Sequence, residues 1–200
     1  MPPTPRRATR SIAPIPTAAT LRASALHYLA RYAASSGNLR RVLLRRIAST
    51  AQHYPDLTAA QLTLLRAEAE KIVTFCIDRK YLDDDTYATA QAKRARAQGK
   101  SARLVMAKLQ QKGLTQTQIA AALAAADTPA TDADAENASP EAAEYRAALR
   151  CAQRKKLGPY RAAPGDALQN RRDFATLARA GFSSAIAQKI LRCTNADDDL

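Results

Sequence analysis

Apolar residues recur every three or four positions along most of the chain, the period of an amphipathic helix. Leu21, Ala25, Tyr28, Leu29 and Tyr32 share one face. Ser36-Gly37-Asn38 reads as a turn. A second helix over about 39–49 then turns Val42, Leu43 and Ile47 inward and Arg40, Arg41 and Arg45 outward. Thr58 with Gln61 forms a capping box. It opens a long helix to about residue 80, striped by Leu62, Leu65, Ala69, Ile72 and Cys76.

The next group is punctuated more sharply. Leu82, Asp83 and Tyr87 stand as a hydrophobic staple around an N-cap, and Asp84 and Asp85 suit the positive end of the helix that follows. That helix ends near Gln98-Gly99. Another starts at Ser101, buries Ala102, Val105, Met106 and Leu109, and stops at Gly113, a residue suited to a left-handed cap. Leu114, Thr115 and Ile119 repeat the staple, Thr115 with Gln118 repeats the capping box, and the helix runs to about residue 126. Residues 127–138 read as an acidic linker. Ser139-Pro140-Glu141 opens a helix carrying Tyr145, Leu149 and Cys151. Gly158-Pro159 breaks it, and two further helices, 166–180 and 183–193, are separated by Gly181.

The pattern repeats. With an offset of 62 residues, Arg41 to Ile47 lies on Arg103 to Leu109. With an offset of 68, Leu109, Gly113, Leu114 and Leu123 lie on Leu177, Gly181, Phe182 and Leu191, and Arg103 lies on Arg171. The expected fold is therefore all-α, with three tandem three-helix repeats in an elongated array. The expected bounds are 21–82, 83–126 and 139–193. A Pro/Arg-rich disordered tail over 1–20 precedes them and an acidic tail over 194–200 follows.

Composition supports helix. Of 93 residues in the hydrophobic class, 46 are Ala, whereas Val numbers three and Ile eight, and there is no Trp. Such a chain fills several small helical cores more readily than one deep one. No stretch is long and apolar enough to span a bilayer. A secretory signal is excluded, because 1–20 has no apolar run, and its prolines break the amphipathic helix of a transit peptide. A cytoplasmic location is expected.

Charge sharpens the partner class. The net charge is +13, with 22 Arg and 9 Lys. Residues 1–82 and 145–196 each carry +9 and residues 83–126 carry +4, while 127–144 carry −6. Arginine forks match phosphates and carboxylates, so a polyanion or an acidic protein surface is the natural partner. Enzyme chemistry finds no footing. There is no phosphate-loop glycine pattern. Cys76, Cys151 and Cys193 lie far apart without a C-x-x-C pair, and His27 and His53 lack a partner at ligand spacing. Asp83-Asp84-Asp85 diverge around a helix start and are explained by capping. No catalytic residue, metal or cofactor is expected.

Tyr81-Leu82-Asp83-Asp84-Asp85-Thr86-Tyr87-Ala88 resembles the Y-L-[DN]-D-x-x-[YF]-A signature of the RecX regulatory family. Gly99 through Lys112-Gly113-Leu114 resembles that family's G-x-x-x-I-x-x-x-L-x-x-K-G-[IV] segment. Asp173-Phe174 through Gly181-Phe182 resembles its third repeat. The similarity covers about 21–193 and is densest in the middle repeat. The first repeat has Arg45-Arg46-Ile47 with no Lys-Gly stop. The resemblance implies a regulator of the RecA recombinase, acting in homologous recombination, DNA repair and the SOS response. Such proteins bind the RecA filament on single-stranded DNA and cap or destabilise it, lowering strand exchange, ATP hydrolysis and coprotease activity.

Two other readings compete. Gly113-Leu114-Thr115 through Ile119-Ala120 looks like the turn of a helix-turn-helix motif, but the following stretch is acidic and lacks Lys and Arg, so phosphates would repel it. A non-specific basic DNA binder would not need such careful capping. The expected partners are thus the RecA filament and, weakly and without sequence preference, single- and double-stranded DNA; no membrane is expected, and the protein is expected to be a monomer. The expected contact residues are Arg40, Arg41, Arg45, Lys93, Arg94, Arg96, Lys100, Arg103, Arg171 and Arg172. Tyr81, Leu82, Asp83, Asp84, Tyr87, Gly113 and Gly181 are expected to be structural.

Overall fold

The computed structural model describes residues 14–128, 139–162 and 165–192. Among them the regular structure is helical: α1 (Ala18–Leu29), α2 (Ser36–His53), α3 (Ala59–Asp78), α4 (Asp84–Ala97), α5 (Ala102–Gln111), α6 (Gln116–Asp127), α7 (Pro140–Lys155), a short 3-10 turn (Gly158–Tyr160), α8 (Ala167–Arg179) and α9 (Ser184–Arg192). The all-α expectation holds. No described helix is long and apolar enough to cross a membrane. The chain divides into two compact units, residues 1–83 and 84–200.

In the first unit, α1, α2 and α3 enclose Leu21, Ala25, Leu39, Leu43, Ile47, Ala69, Ile72, Val73 and Cys76, joined by Leu82. Two local expectations need correction. Ser36-Gly37-Asn38 is the first turn of α2 and not a loop, because the Ser35 hydroxyl accepts from the Asn38 N–H and nucleates the helix. Gly37 is buried there, so glycine serves close packing. Helix α1 starts inside the stretch expected to be tail, where Thr17 and Thr20 form a capping box. It ends at Leu29, which leaves Tyr32 beyond it and 56% exposed. Residues 1–13 of the expected tail lie outside the described residues.

The second unit holds two helical clusters. Ala88, Ala92, Val105, Leu109, Leu114, Ile119 and Ala122 bring α4, α5 and α6 together. Ala147, Ala148, Cys151, Ala152, Leu157, Leu177, Phe182, Ala187 and Ile190 bring α7, α8 and α9 together. Capping follows the sequence closely. Ser101, Thr115 with Gln118, and Ser139 before Pro140 all cap as expected, and Asp166 caps α8.

The two expected glycine stops are built alike. Gly113 has φ 84° and Gly181 has φ 91°. In each, the next apolar residue donates its N–H back to a core leucine carbonyl: Leu114 to Leu109 and Phe182 to Leu177, both at 3.3 Å. This is the Schellman arrangement, which satisfies carbonyls left open at a helix end. It hands the chain to the next Ser/Thr cap in both clusters. Asp173, buried in α8, accepts from the Gly158 N–H at 2.8 Å and pairs with Arg161, which pins the 3-10 turn.

The acidic stretch expected over 127–138 starts later than charge alone implies. Asp127 is the last residue of α6, with its carboxylate turned to Arg96. Residues 129–138, Cys193 and the acidic tail over 194–200 lie outside the described residues.

Candidate polyanion interface

The expected contact residues separate into exposed and buried sets. On α2, Arg40, Arg41 and Arg45 are all exposed. The Arg40 Nε lies 2.8 Å from both carboxylate oxygens of Glu70, so part of its charge is answered at the surface. Arg41 folds back on its own helix, toward the Gly37 carbonyl and the Asn38 side chain. On α4, Lys93 and Arg94 are exposed; so are Arg103 on α5 and Arg171 and Arg172 on α8.

Arg96 is not a surface residue. It is 2% exposed, and it forms ion pairs with two carboxylates inside the second unit. Its Nε donates to Asp127 Oδ1 at 2.6 Å, and one terminal nitrogen donates to Glu144 Oε2 at 2.7 Å and to the Lys100 carbonyl at 3.0 Å. Glu144 Oε2 also accepts from the Ala102 N–H at 3.0 Å. One guanidinium therefore joins the ends of α4 and α6 to α7. A buried cation requires such partners, since desolvating it alone is prohibitive. The basic residue expected to reach a partner instead holds the fold.

Around Arg96 the backbone fixes a joint. Gly99 has φ 69°, and a Cβ there would meet the Cys151 backbone N at 2.5 Å. The end of α4 can approach α7 this closely because α7 presents Ala143, Ala147, Ala148, Cys151 and Ala152 on its buried side. Ser101 Oγ caps α5 and donates to the Ala180 carbonyl at 2.7 Å, tying α5 to the end of α8. Arg146, Arg150 and Arg154, one turn apart on α7, direct donors at the Asp127, Arg96 and Gln98 carbonyls, where helices α6 and α4 end. Cations there also complement the helix dipoles. None of these roles was assigned from sequence.

On the solvent side of the same joint, positive charge accumulates. A cleft of about 460 Å³ is lined by Arg94, Lys100 and Lys108, among others. An adjoining cleft of about 410 Å³ is lined by Lys100, Arg154, Lys155 and Arg179, among others. Burial pushes the half-buried Lys100 ammonium below the ordinary lysine range. The charge of Lys108, and then those of Arg154 and Arg94, push it the same way. Arg94 and Lys100 were expected contacts; Lys108, Arg154, Lys155 and Arg179 were not. Their sequence signal was weak, because they come from three different helices.

The residues expected to be structural divide similarly. Leu82 is buried in the first unit's core, Tyr87 packs on the core of α4–α6, and Asp84 opens α4. Tyr81 is exposed, with its ring 6.2 Å from that of Phe75. The helix-turn-helix reading would need α6 to meet a polyanion, yet α6 carries no Lys or Arg and ends on Asp127.

The chain is 38% identical over 169 residues to the regulatory protein RecX of Myxococcus xanthus, covering 84% of this chain and 82% of that protein. It is 30% identical over 176 residues to the regulatory protein RecX of Agrobacterium fabrum, covering 88% and 84% respectively. No family model matches the chain, and no solved structure does. Identity of this extent over most of the chain and of each relative places the chain in the RecX family of regulatory proteins.

Proposed function

We propose that this protein regulates the RecA recombinase. It binds RecA and the RecA filament on single-stranded DNA, and it lowers strand exchange, ATP hydrolysis and coprotease activity by capping or destabilising that filament. The observation that carries this reading is the chain-wide identity to two RecX regulatory proteins. The cytoplasm is where such a regulator would meet its partner.

The surface supports the reading. Exposed arginines at 41, 103 and 171 lie on the corresponding helix of each three-helix group, α2, α5 and α8. If the groups are taken as repeats of one contact element, the same basic side chain is offered three times, which suits a filament of repeating protomers and phosphates. The monomer works without cofactor and without chemistry of its own.

The test is a RecA ATPase and strand-exchange assay on single-stranded DNA, with and without the purified protein. Inhibition at or below one regulator per recombinase protomer is expected. No effect at equimolar protein would refute the reading.

A further inference from the structure

In the second unit the buried Arg96 pairs with Asp127 and Glu144, and the half-buried Arg161 with Asp173. Among the described residues Lys100 has no such ion pair. The two clefts meet along the segment from Gln98 to Lys100, since Gln98 and Lys100 line both. Among the described residues that line them, no Asp or Glu occurs. Lys100 lines the first cleft beside Lys108 and Arg94 and the second beside Arg154, and the charges of Lys108, Arg154 and Arg94 all bear on its ammonium group. Like charges set this close repel, and an anion between them reverses the sign.

The cluster is held rigidly. Gly99 seats the end of α4 against the α7 backbone, and Arg154 donates to the Gln98 carbonyl. The Lys100 carbonyl is itself bound by Arg96. The backbone segments that carry these cations, from α4, α5, α7 and α8, are thus tied together at the joint, so a ligand meets side chains of all four helices over one small area.

We propose that the two clefts form one oligophosphate-binding site centred on Lys100, taking two or more phosphates in series. Lys108 and Arg94 face one phosphate, and Arg154 and Arg179 face the next. The Gln98 amide, common to both clefts, supplies a neutral donor between them. The phosphates come from a polynucleotide strand or from a free oligophosphate. In the first case the site deepens the function proposed above and rests on it. Its test contains no recombinase, so failure of one is distinguishable from failure of the other.

The full-length protein is titrated with inorganic tripolyphosphate by calorimetry at fixed low salt. A labelled single-stranded oligodeoxynucleotide is followed separately by anisotropy. The double variant Lys100→Gln/Lys108→Gln is expected to lose about tenfold in tripolyphosphate affinity. Arg66→Gln/Lys71→Gln, which removes the same charge from the first unit, is expected to change it by less than about twofold. Circular dichroism checks folding. Should the double variant unfold, amide chemical shifts of the native protein decide instead, with tripolyphosphate perturbations expected at Arg94, Gln98 to Ser101, Lys108 and Arg154. Displacement of tripolyphosphate by the oligonucleotide supports the site and identifies a strand as its ligand. Tripolyphosphate binding without displacement supports it with a free oligophosphate as ligand. Absence of tripolyphosphate binding, equal affinity in the folded Lys100/Lys108 variant, or perturbations elsewhere overturns the proposal.

Discussion

Arg96 donates to Glu144 at 2.7 Å across 48 residues of sequence, and the segment between them contains α5, α6 and the acidic stretch. The pair spans the two hydrophobic clusters of the second unit, so it governs whether α7–α9 stay seated on α4–α6. Asp127 on the same guanidinium makes the tie three-way. Hydrophobic contact alone would allow the clusters to slide, since much of the α4–α7 contact surface is alanine; the directed bonds fix the register.

Arg96→Met should therefore destabilise the protein by about 2–4 kcal/mol, since it strands two half-buried carboxylates and the Lys100 carbonyl. Urea unfolding followed by circular dichroism measures this. Glu144→Gln keeps an acceptor for Arg96 and should cost less. A change below about 0.5 kcal/mol in Arg96→Met, the range of ordinary surface substitutions, would mean that the pair does not couple the clusters.

Backbone conformation gives a paired expectation of opposite sign. Gly99→Ala places a methyl group against the Cys151 backbone at φ 69°, where neither backbone nor side chain can yield cheaply. A loss of about 2–4 kcal/mol is expected from strain and displacement together. Lys80 and Lys156 adopt the same left-handed conformation, at φ 59° and 52°, after α3 and α7. Glycine is the residue that suits this position. Lys80→Gly and Lys156→Gly should each stabilise by about 0.5–1 kcal/mol, visible as a higher urea midpoint with unchanged slope.

These elements show what a sequence can and cannot reveal. Caps such as Thr58 with Gln61 and Thr115 with Gln118 are legible because donor and acceptor lie three residues apart. So are the Gly113 and Gly181 stops, whose conformation depends on neighbours in the same turn. Nothing local distinguishes Arg96 from Arg94, so the sequence offers both as partner contacts; the acids that bury Arg96 lie 31 and 48 residues away. A faint signal existed in α7. Arg146, Arg150 and Arg154 recur every four residues beside buried alanines, a stripe that pairs close backbone approach with donors for open helix ends. The Lys100 clefts are illegible in the sequence for the same reason, since their cations come from α4, α5, α7 and α8 and the segment between α4 and α5.

The thiols offer a check on packing. Cys76 and Cys151 are buried, and desolvation holds both above the ordinary thiol range, against smaller lowering effects of Arg22 on Cys76 and of Lys155 and then Arg154 on Cys151. A raised thiol pKa leaves little thiolate near neutral pH. In a Cys193→Ser background, Ellman's reagent at pH 7.5 should react with the native protein about a hundredfold more slowly than with the urea-unfolded chain. Fast reaction of either native thiol would mean that its core opens readily.

The exposed arginines make the most demanding prediction. Arg41, Arg103 and Arg171 are exposed on α2, α5 and α8, and none of them holds a carboxylate partner like the one that Arg96 or Arg161 has. Reversing all three to Glu removes only the contacts of Arg41 with the Gly37 carbonyl and the Asn38 side chain in its own helix, so the helical circular dichroism signal and the urea midpoint should change little. If these side chains meet a filament of phosphates and acidic protein, reversal replaces three attractions by three repulsions. Inhibition of recombinase ATPase should then weaken by well over about tenfold, with a shallower dependence on salt because fewer counterions are released. Lys substitutions at the same positions keep the charge and should restore most of the effect if charge is what matters; failure of Lys to restore it would point to the bidentate arginine geometry. Full inhibition by the triple Glu variant would remove these arginines from the contact surface and leave the Lys100 clefts as the positive site to examine.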